Sequence, residues 1–247
     1  MCVIVAQENG RSKRVYMFNI KLPQPCNNPS HFVSWSGGKD SCLALFRTIK
    51  KYGKPKYLLN MLTEDGYRSR SHGLSKTVLE KQAYLLQIPI NFYATTWGDY
   101  ESVFIDALHD LKKEGIEMGV FGDIKIPDQP DWIAHRQWAD HVCNKASITA
   151  YEPLWDDSVQ ILLQDFFDAG FVAKIISVNA ELLSANYLGK ILDKELITEF
   201  TKLGIDPAGE KGEYHTIVID GPIFTKPLCL LEKERVLKEG YWFLDVC

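Results

Sequence analysis

Between His31 and Tyr151, short apolar runs alternate with stretches of helical periodicity, and nothing else in the chain narrows its fold so far. His31–Trp35, Tyr57–Leu62, Ile90–Ala94, Met118–Phe121 and Ile148–Tyr151 read as strands. Between them, Cys42, Leu45, Phe46 and Ile49 fall at i, i+3, i+4 and i+7. Leu74–Leu86 reads as a second helix stopped by Pro89, Phe104, Ala107, Leu108 and Leu111 as a third ended by Gly115, and Ala134–Lys145 as a fourth. This alternation predicts βαβ units and a parallel sheet, hence an α/β domain over residues 31–151. Ligands of such sheets sit beyond the carboxyl ends of the strands. Ser36, Thr63, Thr95 and Asp123 each follow a strand end and are expected around one crevice.

The flanks are patterned differently. Residues 1–30 form an N-terminal extension with a short strand expected over Val15–Ile20, then a connector rich in Pro and Asn. After Pro153-Leu154-Trp155 come a helix face (Val159, Leu162, Leu163, Phe166), a strand over Phe171–Val178 and a helix over Leu188–Leu203. Strands follow over Thr216–Asp220 and Trp242–Val246. Residues 152–247 therefore read as a smaller α+β domain.

Composition removes several classes of function. Of 247 residues, 46% are hydrophobic and 24% charged, which excludes a disordered or fibrous chain. The net charge of −4 gives no bulk attraction to nucleic acid, so no DNA partner is expected. Six cysteines without a C-x-x-C pair suit reduced thiols in a cytoplasmic protein. The apolar run Met1–Ala6 is too short for a membrane span or a signal-peptide core, so no membrane partner is expected. A homo-oligomer is left open.

Two stretches carry chemistry. Ser36-Gly37-Gly38-Lys39-Asp40-Ser41 follows a strand and opens a helix. Glycines let a ligand approach the backbone, the helix N-terminus aims free N–H groups at an anion, and the Ser36 and Ser41 hydroxyls and the Lys39 charge add to that. The spacing is neither G-x-x-x-x-G-K-[ST] nor G-x-G-x-x-G. The plain alternative is a capped helix start after a tight turn, with Ser36 or Asp40 as cap. The second stretch, Asp206 to Thr216, sets Glu210 and Glu213 among glycines and then runs through Tyr214 and His215 into a strand. Taken alone, it can be a solvated acidic turn.

The first motif, S-G-G-x-D-S after the first strand, resembles the PP-loop ATP pyrophosphatases. The second, G-x-D-P-A-G-E-x-G-E-Y-H-T with Asp220, Pro222 and Phe224 behind it, is similar to the diphthine–ammonia ligase family of those enzymes. His72, Ile88-Pro89-Ile90, Gly122-Asp123-Ile124, Pro153-Leu154-Trp155 and Leu188-Gly189-Lys190 extend the resemblance over residues 31–228. Lys190 stands where the family usually has Arg, and Asp123–Arg136 is longer and more irregular than the family pattern leads one to expect.

The resemblance implies a Rossmann-like (HUP-type) fold and a reaction in which ATP adenylates a carboxylate and ammonia then attacks, releasing AMP and pyrophosphate. It implies ATP and Mg²⁺ as cofactors, with ammonium and a protein or small-molecule carboxylate (diphthine on elongation factor 2) as further partners. Ser36, Gly37, Gly38, Lys39, Asp40 and Ser41 would hold the phosphates, with Asp40 also near the metal, and Gly122 and Asp123 would border the nucleotide. Glu210 and Glu213 would face the reacting carboxylate and bind ammonium or a second metal, and His72 and His215 would carry protons. Trp97, Trp155 and Tyr214 are candidates for an aromatic wall around a quaternary ammonium. The rival readings are a PP-loop enzyme modifying tRNA or a small molecule, and a nucleotide-binding module without turnover.

Overall fold

The computed structural model of the protein describes residues 3–8, 11–16, 28–125 and 131–247. Two strands, β1 (Val3–Glu8) and β2 (Arg11–Tyr16), pair antiparallel ahead of the main body. Of the strand expected over Val15–Ile20, Val15 and Tyr16 end β2, and the rest lies outside the described residues.

The expected parallel sheet is present. Its strands are β3 (His31–Ser34), β4 (Tyr57–Leu62), β5 (Ile90–Ala94), β6 (Met118–Val120) and β7 (Thr149–Tyr151). Their spatial order is β5-β4-β3-β6-β7, all parallel. The helices α1 (Lys39–Tyr52), α2 (Lys76–Leu86), α3 (Tyr100–Lys113) and α4 (Asp131–Lys145) cover both faces. Strand β3 has β4 on one side and β6 on the other, so the chain reverses its direction of travel across the sheet there. That switch point opens a crevice at the carboxyl edge. No described helix is long and apolar enough to cross a membrane.

The later half is a second, antiparallel sheet. After α5 (Val159–Asp168), its strands are β8 (Val172–Asn179), β9 (Tyr214–Asp220), β10 (Glu232–Lys238) and β11 (Tyr241–Val246), in the order β10-β11-β8-β9. The helix expected over Leu188–Leu203 is shorter. Gly189 takes a left-handed φ of 85°, and the segment around it hydrogen-bonds to β8 through Ile175 N–H to Lys190 O and Leu192 N–H to Ala173 O. Asp193 then caps α6 (Lys194–Lys202) by accepting from Leu196 N–H at 2.8 Å. Leu188 and Leu192 are buried as expected, but through that pairing with β8. Strand β10, E-K-E-R-V-L-K, was not expected at all. It is an exposed edge strand whose charges discourage edge-to-edge pairing, so it lacks the alternation that marks a strand.

Two cores hold the layers together. Phe32, Leu59 and Met61 pack with α3 and α4 on one face of the parallel sheet. On the other face α1, α2, α5 and the antiparallel sheet share one continuous core, from Val33 and Leu45 to Ile175, Ile217 and Val246. His31 is buried, and one ring nitrogen lies 2.9 Å from Pro29 O.

Candidate functional site at the carboxyl edge of the parallel sheet

Strand β3 ends at Ser34, and two residues later the backbone enters the Gly-rich turn. Gly37 has φ of 82°, a left-handed value that an L side chain rarely adopts. A Cβ there would lie 2.5 Å from Gln82 Oε1, and one on Gly38 would lie 2.5 Å from His72 Cε1. The glycines are therefore demanded by protein packing as well as by any ligand. Edge strand β9 clamps the loop from the other half of the chain. Val218 N–H donates to Gly37 O at 2.9 Å, and Lys39 N–H donates to Thr216 Oγ1 at 3.1 Å.

Gln82, on α2, is fully buried behind this junction. Its Nε2 donates to Gly37 O at 3.1 Å and Val218 O at 2.7 Å, and its Oε1 accepts from Trp35 Nε1 at 3.2 Å. One side chain thus ties the Gly-rich loop, both sheets and the end of the strand before the loop. Sequence reasoning passed over it. The signal was a glutamine inside the apolar stripe Val78, Leu79, Ala83, Leu86.

The hydroxyls of Ser36 and Ser41 lie 3.1 Å apart, and Gly38 N–H donates to Ser36 Oγ. On the other wall of the cleft, Gly122 touches the start of α1 so closely that a Cβ would meet Ser41 N at 2.9 Å. Asp123 follows it. Its carboxyl is raised above the ordinary range by burial first, opposed by His135 and reinforced by Asp40. The cleft is lined by Ser36, Asp40, Ser41, Asn60, His72 and Asp123, among others. Thr63 and Thr95, expected on its rim, do not line it. Thr63 Oγ1 donates to Asp65, and Thr95 O accepts from Arg70 Nε.

Lys39 is nearly buried, and its Nζ reaches Asp40 Oδ2 at 2.8 Å and Glu210 Oε1 at 3.3 Å. Burial opposes the ammonium charge, but Asp40 and Glu210 outweigh it and hold Lys39 above its ordinary value. One cation cannot neutralise two carboxylates. Glu210, at the longer distance, is left with a raised proton affinity, caused by burial first and then only partly relieved by Lys39.

Glu213 is placed differently from the expectation that it faces a substrate. Its two oxygens accept from Asp206 N–H at 3.1 Å and Lys211 N–H at 2.9 Å, so the buried carboxylate braces its own loop. His72 and His215 do meet, stacked with ring centroids 4.6 Å apart. Burial, then the facing His215 ring and Lys39, keeps His72 well below its ordinary value, and burial with Lys39 brings His215 down to about 4. Both rings are neutral at neutral pH and resist taking up a second proton. The three candidate aromatics are dispersed. Trp97 is exposed against Tyr100 and Arg70, Trp155 is buried beneath Arg136, and Tyr214 is buried against Phe200.

Among the described residues, no three Asp, Glu, His or Cys side chains gather closely enough to cage a metal. Asp40 fits Mg²⁺ as a single protein ligand beside phosphate oxygens and water, the usual way this ion is held.

The diphthamide synthase N-terminal domain matches residues 30–150 and the diphthamide synthase C-terminal domain residues 158–246. The chain belongs to the diphthamide synthase family. That family comprises ATP-dependent ligases that form a C–N bond, and this chain is one of them. Relatives named diphthine–ammonia ligase include one from Schizosaccharomyces pombe, 28% identical over 81% of this chain, and one from Homo sapiens, 26% identical over 85%. The chain spans 36% of the yeast relative's length and 86% of the human one's. A solved structure described as a predicted subunit of a tRNA methyltransferase from Methanocaldococcus jannaschii overlaps 77% of this chain and 96% of its own. Its TM-score of 0.41 and 18% identity bear on neither fold nor function.

Proposed function

We propose that this chain, in the cytoplasm, uses ATP and Mg²⁺ to adenylate a carboxylate and passes the acyl group to ammonia, with AMP and pyrophosphate as products. The observation that carries the reading is one cleft lined by Ser36, Asp40, Ser41, Gly122 and Asp123, with Thr216 and Glu210 held against the same loop through Lys39. The glycine backbone and the N-terminus of α1 receive the terminal phosphates, and Lys39 balances their charge. Asp40 takes the metal, which screens charge on the phosphates when bound. Hydroxide is a poor leaving group, so direct amide formation is uphill. Adenylation replaces it with AMP.

By analogy with the named relatives, the carboxylate is that of diphthine on elongation factor 2. Of the three candidate aromatics, Trp97 alone is exposed enough to meet its quaternary ammonium. His72 and His215, stacked beside the loop, are the proton carriers of this reading, passing a proton on rather than holding it. Glu213 acts through the fold of its loop.

The test is incubation with ATP, Mg²⁺ and diphthine-bearing elongation factor 2, with and without ammonium, followed by assay of AMP and pyrophosphate. Asp40→Ala is expected to lower AMP formation by roughly 10²-fold, as loss of a charge-stabilising group does. AMP formation at the unaltered rate would refute the phosphate-site assignment.

A further inference from the structure

Behind Asp123 lies a second carboxylate that the roles above leave without a task. Strands β6 and β7 are in register with Val120 opposite Tyr151, and Phe121 N–H donates to Tyr151 O at 3.0 Å. Glu152 therefore stands beside Phe121 and Gly122 at the same carboxyl edge, one step from Asp123. Its side chain is only 5% exposed, against 36% for Asp123. Arg136 Nε reaches Glu152 Oε2 at 3.3 Å while stacking over Trp155, but Oε1 is buried with no hydrogen-bond partner. A buried, unpaired carboxylate oxygen is unfavourable unless something donates to it.

The surroundings specify the donor. Asp123 after β6, Asp140 on α4 and Asp156 after β7 all act on Glu152, while Arg136 is the opposing cation and His135 sits 3.9 Å from Asp123. Cys143 on α4, a buried neutral thiol, faces the same carboxylate. The excess is negative, so a cation is favoured. A caged divalent metal does not fit, since no three ligating side chains converge among the described residues and Arg136 already touches the carboxylate. A quaternary ammonium has no N–H to offer the unpartnered Glu152 oxygen. A small cation rich in N–H donors fits.

We propose that Glu152, beside the cleft-lining Asp123, binds ammonium and takes the proton that frees it as a nucleophile. The inference rests on the amide-forming reading of the cleft. Ammonium gives one proton to Glu152 Oε1, and the nitrogen lone pair forms the C–N bond to the acyl carbon. The C–O bond to AMP breaks with its electron pair staying on the AMP oxygen, and the adduct's surplus proton leaves to water. Burial first, then Asp123, Asp140 and Asp156 against the pull of Arg136, pushes the Glu152 carboxyl up to about 7, where a base works best near neutral pH.

The experiment separates the two half-reactions of the full chain. Exchange of labelled pyrophosphate into ATP, with diphthine-bearing elongation factor 2 and no ammonium, reports adenylation. Amide formation with ammonium chloride reports both steps. Glu152→Gln is expected to lower the ammonium-dependent rate by roughly 10²-fold relative to exchange, as loss of a general base does. Glu152→Asp, which keeps a carboxylate, is expected to recover part of it. Hydroxylamine, largely unprotonated at neutral pH, is expected to restore acyl transfer in Glu152→Gln, which a merely structural role would not allow. Equal loss of exchange and amide formation, or an unaltered KM for ammonium in Glu152→Gln, overturns the assignment. Absence of exchange in the unaltered protein overturns the ligase reading, and this proposal with it.

Discussion

The loops Ser36–Ser41 and Asp206–Glu213 carry the same local signature, glycines beside charged side chains, yet they are built in opposite ways. The first is held from outside. Gln82, Val218, Thr216 and the His72 ring press on it from three other elements, and its polar groups line the cleft. The second is held from within. Glu213 accepts from two of the loop's own N–H groups and Asp206 caps Ala208, while Glu210 reaches across to Lys39 and the Tyr214 hydroxyl and Asn179 N–H donate to Pro207 O and Glu213 O from the adjoining strands. In the second loop, the carboxylate that pairs within the loop, Glu213, supports the loop's fold, while the one that pairs outside it, Glu210, ties the two loops together.

That contrast can be broken most sharply at Gly38. Gly38→Ala sets a methyl into the His72 ring and 3.1 Å from Thr216 O. Displacing the loop by about 1 Å is expected to lower adenylation by roughly 10²-fold. Near-normal pyrophosphate exchange in this variant would show that the outside clamp is not what shapes the loop. Gln82→Ala strips partners from Trp35 Nε1 and Val218 O and weakens the hold on Gly37 O. Urea unfolding should record a loss of about 2–4 kcal/mol. A loss under about 1 kcal/mol would mean that β9 holds the loop alone.

The second loop gives a smaller effect and a sharper pairing. Glu213→Gln turns an amide toward a backbone N–H and is expected to destabilise by about 1–3 kcal/mol. Glu210→Gln should change stability by less than about 1 kcal/mol while impairing turnover, because that carboxylate already holds its proton more tightly than usual. Reversal of the two results would exchange their roles.

The smallest expected effect is at the histidine stack. The folded His215 ring resists protonation down to about 4, against 6.5 for the unfolded chain, so the unfolded state binds more protons between those values. Stability should therefore fall as pH drops from about 6.5 toward 4. The change in unfolding free energy between pH 7 and pH 5 should be about 1–2 kcal/mol smaller in His215→Gln, read by chemical denaturation at both values. An identical pH dependence would place the stack outside the folded state's proton balance.

Much of this molecule is set by short-range pattern. The alternation over residues 31–151 specifies the five parallel strands and their helices, because a strand or a helix face is defined by neighbours a few positions away. Ser36–Ser41, with a strand before it and a helix after it, announces an anion cradle for the same reason. Where one residue overrides the pattern, as Gly189 does in the apolar spacing of 188–203, periodicity misleads. Only the tertiary structure decides which groups meet across the chain. Gln82 joins residues 45 and 136 positions away, His72 stacks on His215, and Glu152 stands beside Asp123. Nothing local marks such pairs. They exist because two sheets bury one shared core, and burial at that seam sets which carboxylates and imidazoles keep their protons.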